Sequence, residues 1–199
     1  MSAPPERFDL REIAPQPWQN GAGLTREIAL GGADPARFDW RLSVAEVTRD
    51  APFSAFPGVD RCIVLLAGAG KRLRSPDGAI DHALTRPLEP FRFPGEVPLA
   101  ATLAGGASRD FNVMMRRGVF RSELRCTHAA ADLAGGDVSF ALCIAGAWAL
   151  AEDATSATTA PIEPLQALLW RAPVAPLRLE PRGAAATLLL VRLYHDRPR

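Results

Sequence analysis

The chain has 199 residues, 48% of them hydrophobic, which is enough to bury a substantial core and excludes disorder as the default. Its 23 basic and 22 acidic residues leave a net charge of +1, and no run of Lys or Arg interleaved with aromatics forms the basic stripe that a nucleic-acid backbone demands. No apolar stretch reaches membrane-spanning length and residues 1–9 lack the apolar centre of a secretory signal, so the sequence predicts a cytoplasmic protein with neither nucleic acid nor membrane as partner.

Taken in chain order, the apolar runs are short and bounded by turn residues, and 18 Pro and 16 Gly rarely leave room for a long helix. Strands are expected at 24–30, 40–47, 62–67, 72–74, 91–93, 111–115, 138–145, 148–151, 168–170 and 185–194. Residues 131–136 and 157–161 read as loops, and Asp81 and His82 fall in a turn-rich segment after Pro76-Asp-Gly. This pattern is all-β, a sandwich or barrel.

An internal echo points to duplication. Leu66-Ala-Gly-Ala-Gly-Lys-Arg-Leu73 resembles Ile144-Ala-Gly-Ala-Trp-Ala-Leu150, each read as strand, Gly turn, strand. Pro87-Leu88 followed by Phe91 and Phe93 resembles Pro164-Leu165 followed by Leu168 and Trp170, at an offset of about 77 residues.

Several kinds of chemistry find no support. Cys62, Cys126 and Cys143 are odd in number and form no C-x-x-C, so a reduced environment is expected. His82, His128 and His195 are scattered, with no ligand two residues away in a strand, so no metal is expected. There is no G-x-S-x-G elbow, and Gly21-Ala-Gly23 lacks the third glycine of a dinucleotide fingerprint, so no cofactor is expected either.

Polar residues placed two apart in apolar strands are the informative feature. Alternation puts Thr25 with Glu27, Arg41 with Ser43, and Asp110 with Asn112 on common faces, while Arg61 opens the most apolar strand. Such faces are either solvated or turned into a barrel lumen, where an unpaired charge is costly to retain. The segment Trp18-Gln-Asn-Gly-Ala-Gly-Leu-Thr-Arg-Glu27 reads as a turn with Asn20-Gly21 at positive φ, or as a lip from which Trp18 and Asn20 reach a ligand. Phe53 and Phe56 belong to a packed Pro-aromatic loop or to a pocket wall.

The motifs W-Q-N-G-A-G-L-T-R-E at 18–27, W-R-L-S-V-A at 40–45, F-S-A-F-P-G-V-D-R at 53–61 and D-F-N-V-M at 110–114, in this order and spacing, resemble the HutD/Ves family. The resemblance implies an all-β, cupin-like (RmlC-like) double barrel, a bicupin, with the motif residues in a first barrel spanning 1–118 and a second barrel at 119–199, strands being open to exchange between them. Cupin barrels commonly hold a metal through His, His, Glu and His, a set this chain does not repeat. Family members are associated with bacterial histidine utilisation in a regulatory or small-molecule-binding role. The implied function is therefore binding of a small carboxylate, such as a histidine-degradation intermediate. Arg61 or Arg41 would supply the bidentate fork and Asn20, Thr25 and Asn112 neutral hydrogen bonds, with Trp18 at the mouth. Glu27 and Asp110 would balance the guanidinium charge. One alternative is a metal-free isomerase, lyase or hydrolase with Glu27 or Asp110 as general base. Another is an interaction scaffold that forms a homodimer through an exposed strand.

Overall fold

Alternating or continuous runs of β-branched and other apolar residues, cut by Gly and Pro, fold as strands throughout the computed structural model, which describes residues 4–151, 160–173 and 177–196. The strands are β1 (Glu6–Asp9), β2 (Gln16–Pro17), β3 (Gly23–Gly31), β4 (Trp40–Val47), β5 (Ala51–Pro52), β6 (Val59–Ala67), β7 (Lys71–Arg74) and β8 (Asp81–Leu84). They continue with β9 (Pro90–Pro94), β10 (Ala100–Leu103), β11 (Ser108–Arg116), β12 (Phe120–Thr127), β13 (Ala131–Asp132), β14 (Val138–Leu150), β15 (Gln166–Trp170) and β16 (Arg178–His195). Among the described residues the helical element is one 3-10 turn, Pro35–Arg37, and no helix is long and apolar enough to cross a membrane.

The chain divides into two compact units, Ile13–Phe120 and a second that joins Met1–Glu12 to Arg121–Arg199. In the first, a six-stranded antiparallel sheet has the order β2-β3-β4-β11-β6-β9, beside a four-stranded sheet β5-β10-β7-β8. β4, β11 and β6 are central and buried over most of their length. Ile63 and Leu65 of β6 pack with Leu73, Leu84, Phe93, Leu99 and Ala101 to join the two sheets of this unit.

The second unit builds a six-stranded sheet in which β1-β15-β14-β16-β12 are successive neighbours and β13 pairs β16. Its interior is apolar, with Trp148, Ile162, Leu168, Trp170, Leu179, Leu188 and Leu190 all buried. β1 lies along β15, Glu6 opposite Leu169, so the first strand of the chain belongs with its last ones.

Three local expectations are corrected. The strands expected at 138–145 and 148–151 are one strand, β14, because Gly146 at φ 69 makes a bulge in the ladder with β16 instead of a turn. Asp81 and His82 lie in β8, paired with Arg74 and Leu73, and not in a turn. The expected loop at 131–136 begins with the short strand β13; residues 157–159 of the other expected loop lie outside the described residues.

The echo in the sequence is a repeat in geometry. Leu88 and Leu165 are the non-glycine residues at positive φ among those described, 65° and 71°. Each sends its N–H back to a strand carbonyl, Leu88 to Leu65 at 3.0 Å and Leu165 to Cys143 at 3.0 Å. Gly68 and Gly146 likewise both have positive φ, and a Cβ at either would press on the facing backbone, at Ala107 and Ala186 respectively.

Candidate functional site

The inward face of the six-stranded sheet is apolar where the smaller sheet covers it and polar beyond. There Arg41, Ser43 and Ala45 of β4, Arg61 of β6, and Asp110, Asn112 and Met114 of β11 line a cavity of about 570 Å³. The alternation that places them is direct: Asn112 stands opposite Ser43 on one neighbour and Ile63 on the other, and Phe111 and Val113 turn to the opposite face. Trp18, Asn20, Thr25, Phe53, Ser54 and Phe56 complete much of the wall. Of the eight residues singled out in the sequence, Trp18, Asn20, Thr25, Arg41, Arg61, Asp110 and Asn112 therefore share one cavity. Glu27 is not among its lining residues, but its Oε2 accepts from Arg41 Nε at 2.7 Å.

Arg61 is the central cation. It is 7% exposed, and its guanidinium carbon lies 5.2, 5.5 and 5.0 Å from the ring centres of Phe53, Phe56 and Phe93. Nη2 donates to Asn112 Oδ1 at 3.0 Å and Nη1 reaches the Ser54 carbonyl at 3.5 Å, whereas the buried Nε has no hydrogen-bond partner. Burial, then the charge of Arg41, push its pKa down to about 10, with Asp110 acting in the other direction. Neither carboxylate expected to compensate Arg61 touches it, because Arg41 holds Glu27 and a residue missed in the sequence, Lys71, holds Asp110.

Lys71 is the only lysine of the chain and is fully buried. It reaches this position through the strict inward alternation of Lys71 and Leu73 on β7. Its Nζ donates to Asp110 Oδ2 and, at 3.3 Å, to Ser108 Oγ, and Ser108 Oγ in turn lies 3.3 Å from Asp110 Oδ1. Burial pushes Lys71 below and Asp110 above their ordinary values, since both charged forms lose water. The signal available in the sequence was a solitary Lys two residues before a buried Leu in an otherwise Arg-only chain.

The 18–27 segment is a pinned turn. Trp18 Nε1 donates to Thr25 Oγ1 at 2.8 Å, Asn20 Oδ1 accepts from the Ala22 N–H at 3.0 Å, and Arg49 Nη2 donates to the Gly21 carbonyl at 2.7 Å. Positive φ is confined to Gly21, at 64°, and does not extend to Asn20. Phe53 and Phe56 combine both of their alternatives, packing against the apolar clusters and lining the cavity.

Comparison with known proteins gives a match to the HutD family model over residues 10–189. Among solved structures, the chain is similar to the conserved protein of unknown function PA5104 from Pseudomonas aeruginosa PAO1, with 29% identity, TM-score 0.84 and coverage of 96% of this chain and 100% of that one. It is also similar to HutD from Pseudomonas fluorescens SBW25, with 23% identity, TM-score 0.82, and coverage of 98% and 100%. A more distant likeness is to oxalate decarboxylase of Bacillus subtilis, with 9% identity, TM-score 0.63, and coverage of 100% and 78%. The fold is thus all-β and cupin-like. That decarboxylase is described with Mn(II) centres, but the residues here do not fit a divalent cation. The cavity presents two guanidinium groups and no imidazole, and among the described residues no group of three or more His, Cys, Asp or Glu could hold a metal ion.

Proposed function

From the membership of this chain in the HutD family, we propose that it is a small-molecule-binding, regulatory protein of the HutD type whose first unit holds a small carboxylate, such as a histidine-degradation intermediate. The observation that carries this reading is Arg61. It is a buried cation without a carboxylate partner, it faces a cavity, and its Nε–H is unsatisfied. A buried donor without an acceptor is costly, and a carboxylate supplies both the missing acceptor and the missing charge. Arg41 stands across the same cavity with only its Nε taken by Glu27, so its outer nitrogens extend the cationic wall. Trp18, Asn20, Thr25 and Asn112 shape the rest of the site. A role in sequestering a metabolite needs no catalytic base, and both carboxylates that could serve as one are engaged by Arg41 and Lys71.

The two units are proposed to be duplicated barrels, a bicupin in which the N-terminal strand has been exchanged into the second unit. The repeated leucine geometry and the pairing of β1 with β15 support this.

The direct test is calorimetric titration with butyrate. Arg61→Ala is expected to lower affinity roughly tenfold to a hundredfold, the value of a charge-assisted bidentate contact, and Arg61→Lys to restore only part of it. Unchanged butyrate affinity in Arg61→Ala would remove Arg61 as the anchor.

A further inference from the structure

We propose that the ligand is a monocarboxylate that also carries a hydrogen-bond donor, its carboxylate on Arg61 and its donor accepted by Asp110, which Lys71 and Ser108 hold in place. This rests on the carboxylate reading of the cavity and names the class of molecule that fills it.

The first ground is that the fold does not need the Lys71–Asp110 pair. Buried ion pairs are poor stabilisers, because the desolvation of two charges offsets most of their attraction. The second unit repeats the same local architecture without one. Asp110 stands opposite Leu65, whose carbonyl receives the Leu88 N–H; Leu188 stands opposite Cys143, whose carbonyl receives the Leu165 N–H. The residue in the place of Asp110 is therefore a fully buried leucine. Lys71 stands opposite Leu84, and in the second unit the fully buried Trp148 stands opposite Ile162, so by strand pairing Trp148 takes the place of Lys71. In the first unit, where the cavity lies, the pair is charged; in the second its counterparts are apolar.

Charge is the second ground. Glu27 with Arg41 and Asp110 with Lys71 each close on themselves, which leaves the single charge of Arg61 to be met by the ligand. A second carboxylate would face Asp110 across the same space.

Geometry is the third. Asp110 and Asn112 lie on one face of β11, about 6.6 Å apart along the strand, and the Arg61 guanidinium is fixed on Asn112. A carboxylate on Arg61 thus has Asp110 one two-residue step away. A carboxylate offers about four acceptor positions; Lys71 engages Oδ2 and Ser108 engages Oδ1, which leaves acceptor capacity on Asp110, itself a lining residue of the cavity. The contacts with Lys71 and Ser108 orient Asp110 as an acceptor, which selects a hydroxyl, amide N–H or ammonium on the ligand.

The experiment is titration of the full chain with butyrate, 4-hydroxybutyrate, 4-aminobutyrate and glutarate, repeated on Lys71→Met/Asp110→Leu, which gives the first unit the apolar character of the second. In the unmodified protein the hydroxy and amino acids are expected to bind about tenfold or more tightly than butyrate, and glutarate no more tightly. Within the double variant the affinity of the hydroxy and amino acids relative to butyrate, measured in that same variant, should fall to about one. A wild-type series in which the donors give no gain, or in which glutarate binds best, overturns the inference while leaving the Arg61 reading intact; so does an advantage that survives in the double variant. Absence of any Arg61-dependent butyrate binding overturns both. The wild-type series decides the matter even if the double variant fails to fold.

Discussion

For Arg61 the proposed binding role and a supporting role predict different outcomes. Had it paired with Glu27 or Asp110, its removal would strand a buried carboxylate at a cost of ~3–5 kcal/mol. Both carboxylates have other partners, so Arg61→Ala should cost clearly less than that in a urea melt, the lost packing against three phenylalanines being offset by release of a desolvated charge. Its pKa, pushed down to about 10 by burial and by Arg41, also sets a pH dependence. The guanidinium is charged at neutral pH and half deprotonated at about pH 10, so carboxylate affinity should be level between about pH 6 and 8 and decline from about pH 9 upward. Titrations at pH 8 and 10.5 check this; equal affinities would mean that Arg61 is not the titrating anchor.

Secondary-structure elements recur between the two units with different interiors. Leu88 and Leu165, at φ 65° and 71°, occupy a left-handed conformation that a β-branched side chain resists. Leu88→Val and Leu165→Val should therefore each destabilise by about 1–2 kcal/mol, and Leu→Gly at the same positions by less, as read from denaturant midpoints. A loss confined to one of the two would argue against equivalent roles. Trp148 fills the second interior; Trp148→Ala should cost about 3–5 kcal/mol while leaving butyrate affinity in the first unit unchanged.

Acid stability belongs to the whole molecule. Arg11 holds Asp9, and Arg72 and Arg74 hold Asp81, well below the ordinary carboxylate value, while Arg117 lowers Glu96 and Ser75 lowers Asp77. A depressed folded-state pKa gives stability that is present above the unfolded values of 3.8 and 4.5 and is lost as pH falls through the folded ones. Asp110 has the opposite sign: its raised pKa favours the folded state on the acid side and so blunts the loss. The melting temperature should be nearly level from pH 6 to 8 and fall below about pH 4. Added salt should shrink the difference, because four of these five groups are at exposed or half-exposed positions where ions screen them.

What the sequence determined by itself was local. The two-residue alternation of Thr25, Arg41, Ser43, Asp110 and Asn112 follows from the pleat of a strand, and it made a common polar face legible before any strand was paired. Repeated Pro-Leu and Ala-Gly-Ala segments pointed to the leucine and glycine geometry that recurs in the two units. Polar strands such as β1, β8 and β12 carried little such signal, because edge or half-exposed strands have no continuous apolar run. Gly146 was read as a turn because positive φ serves turns and bulges alike, and only the ladder with β16 distinguishes them. The solitary Lys71 carried only a weak signal, because a lysine is ordinarily at the surface; its burial depends on Asp110, 39 residues away, being brought to it. Tertiary structure alone decided which charges close on each other, and so that the buried Arg61 has no carboxylate partner among the described residues, because Coulombic compensation depends on distances between strands that the order of residues does not contain.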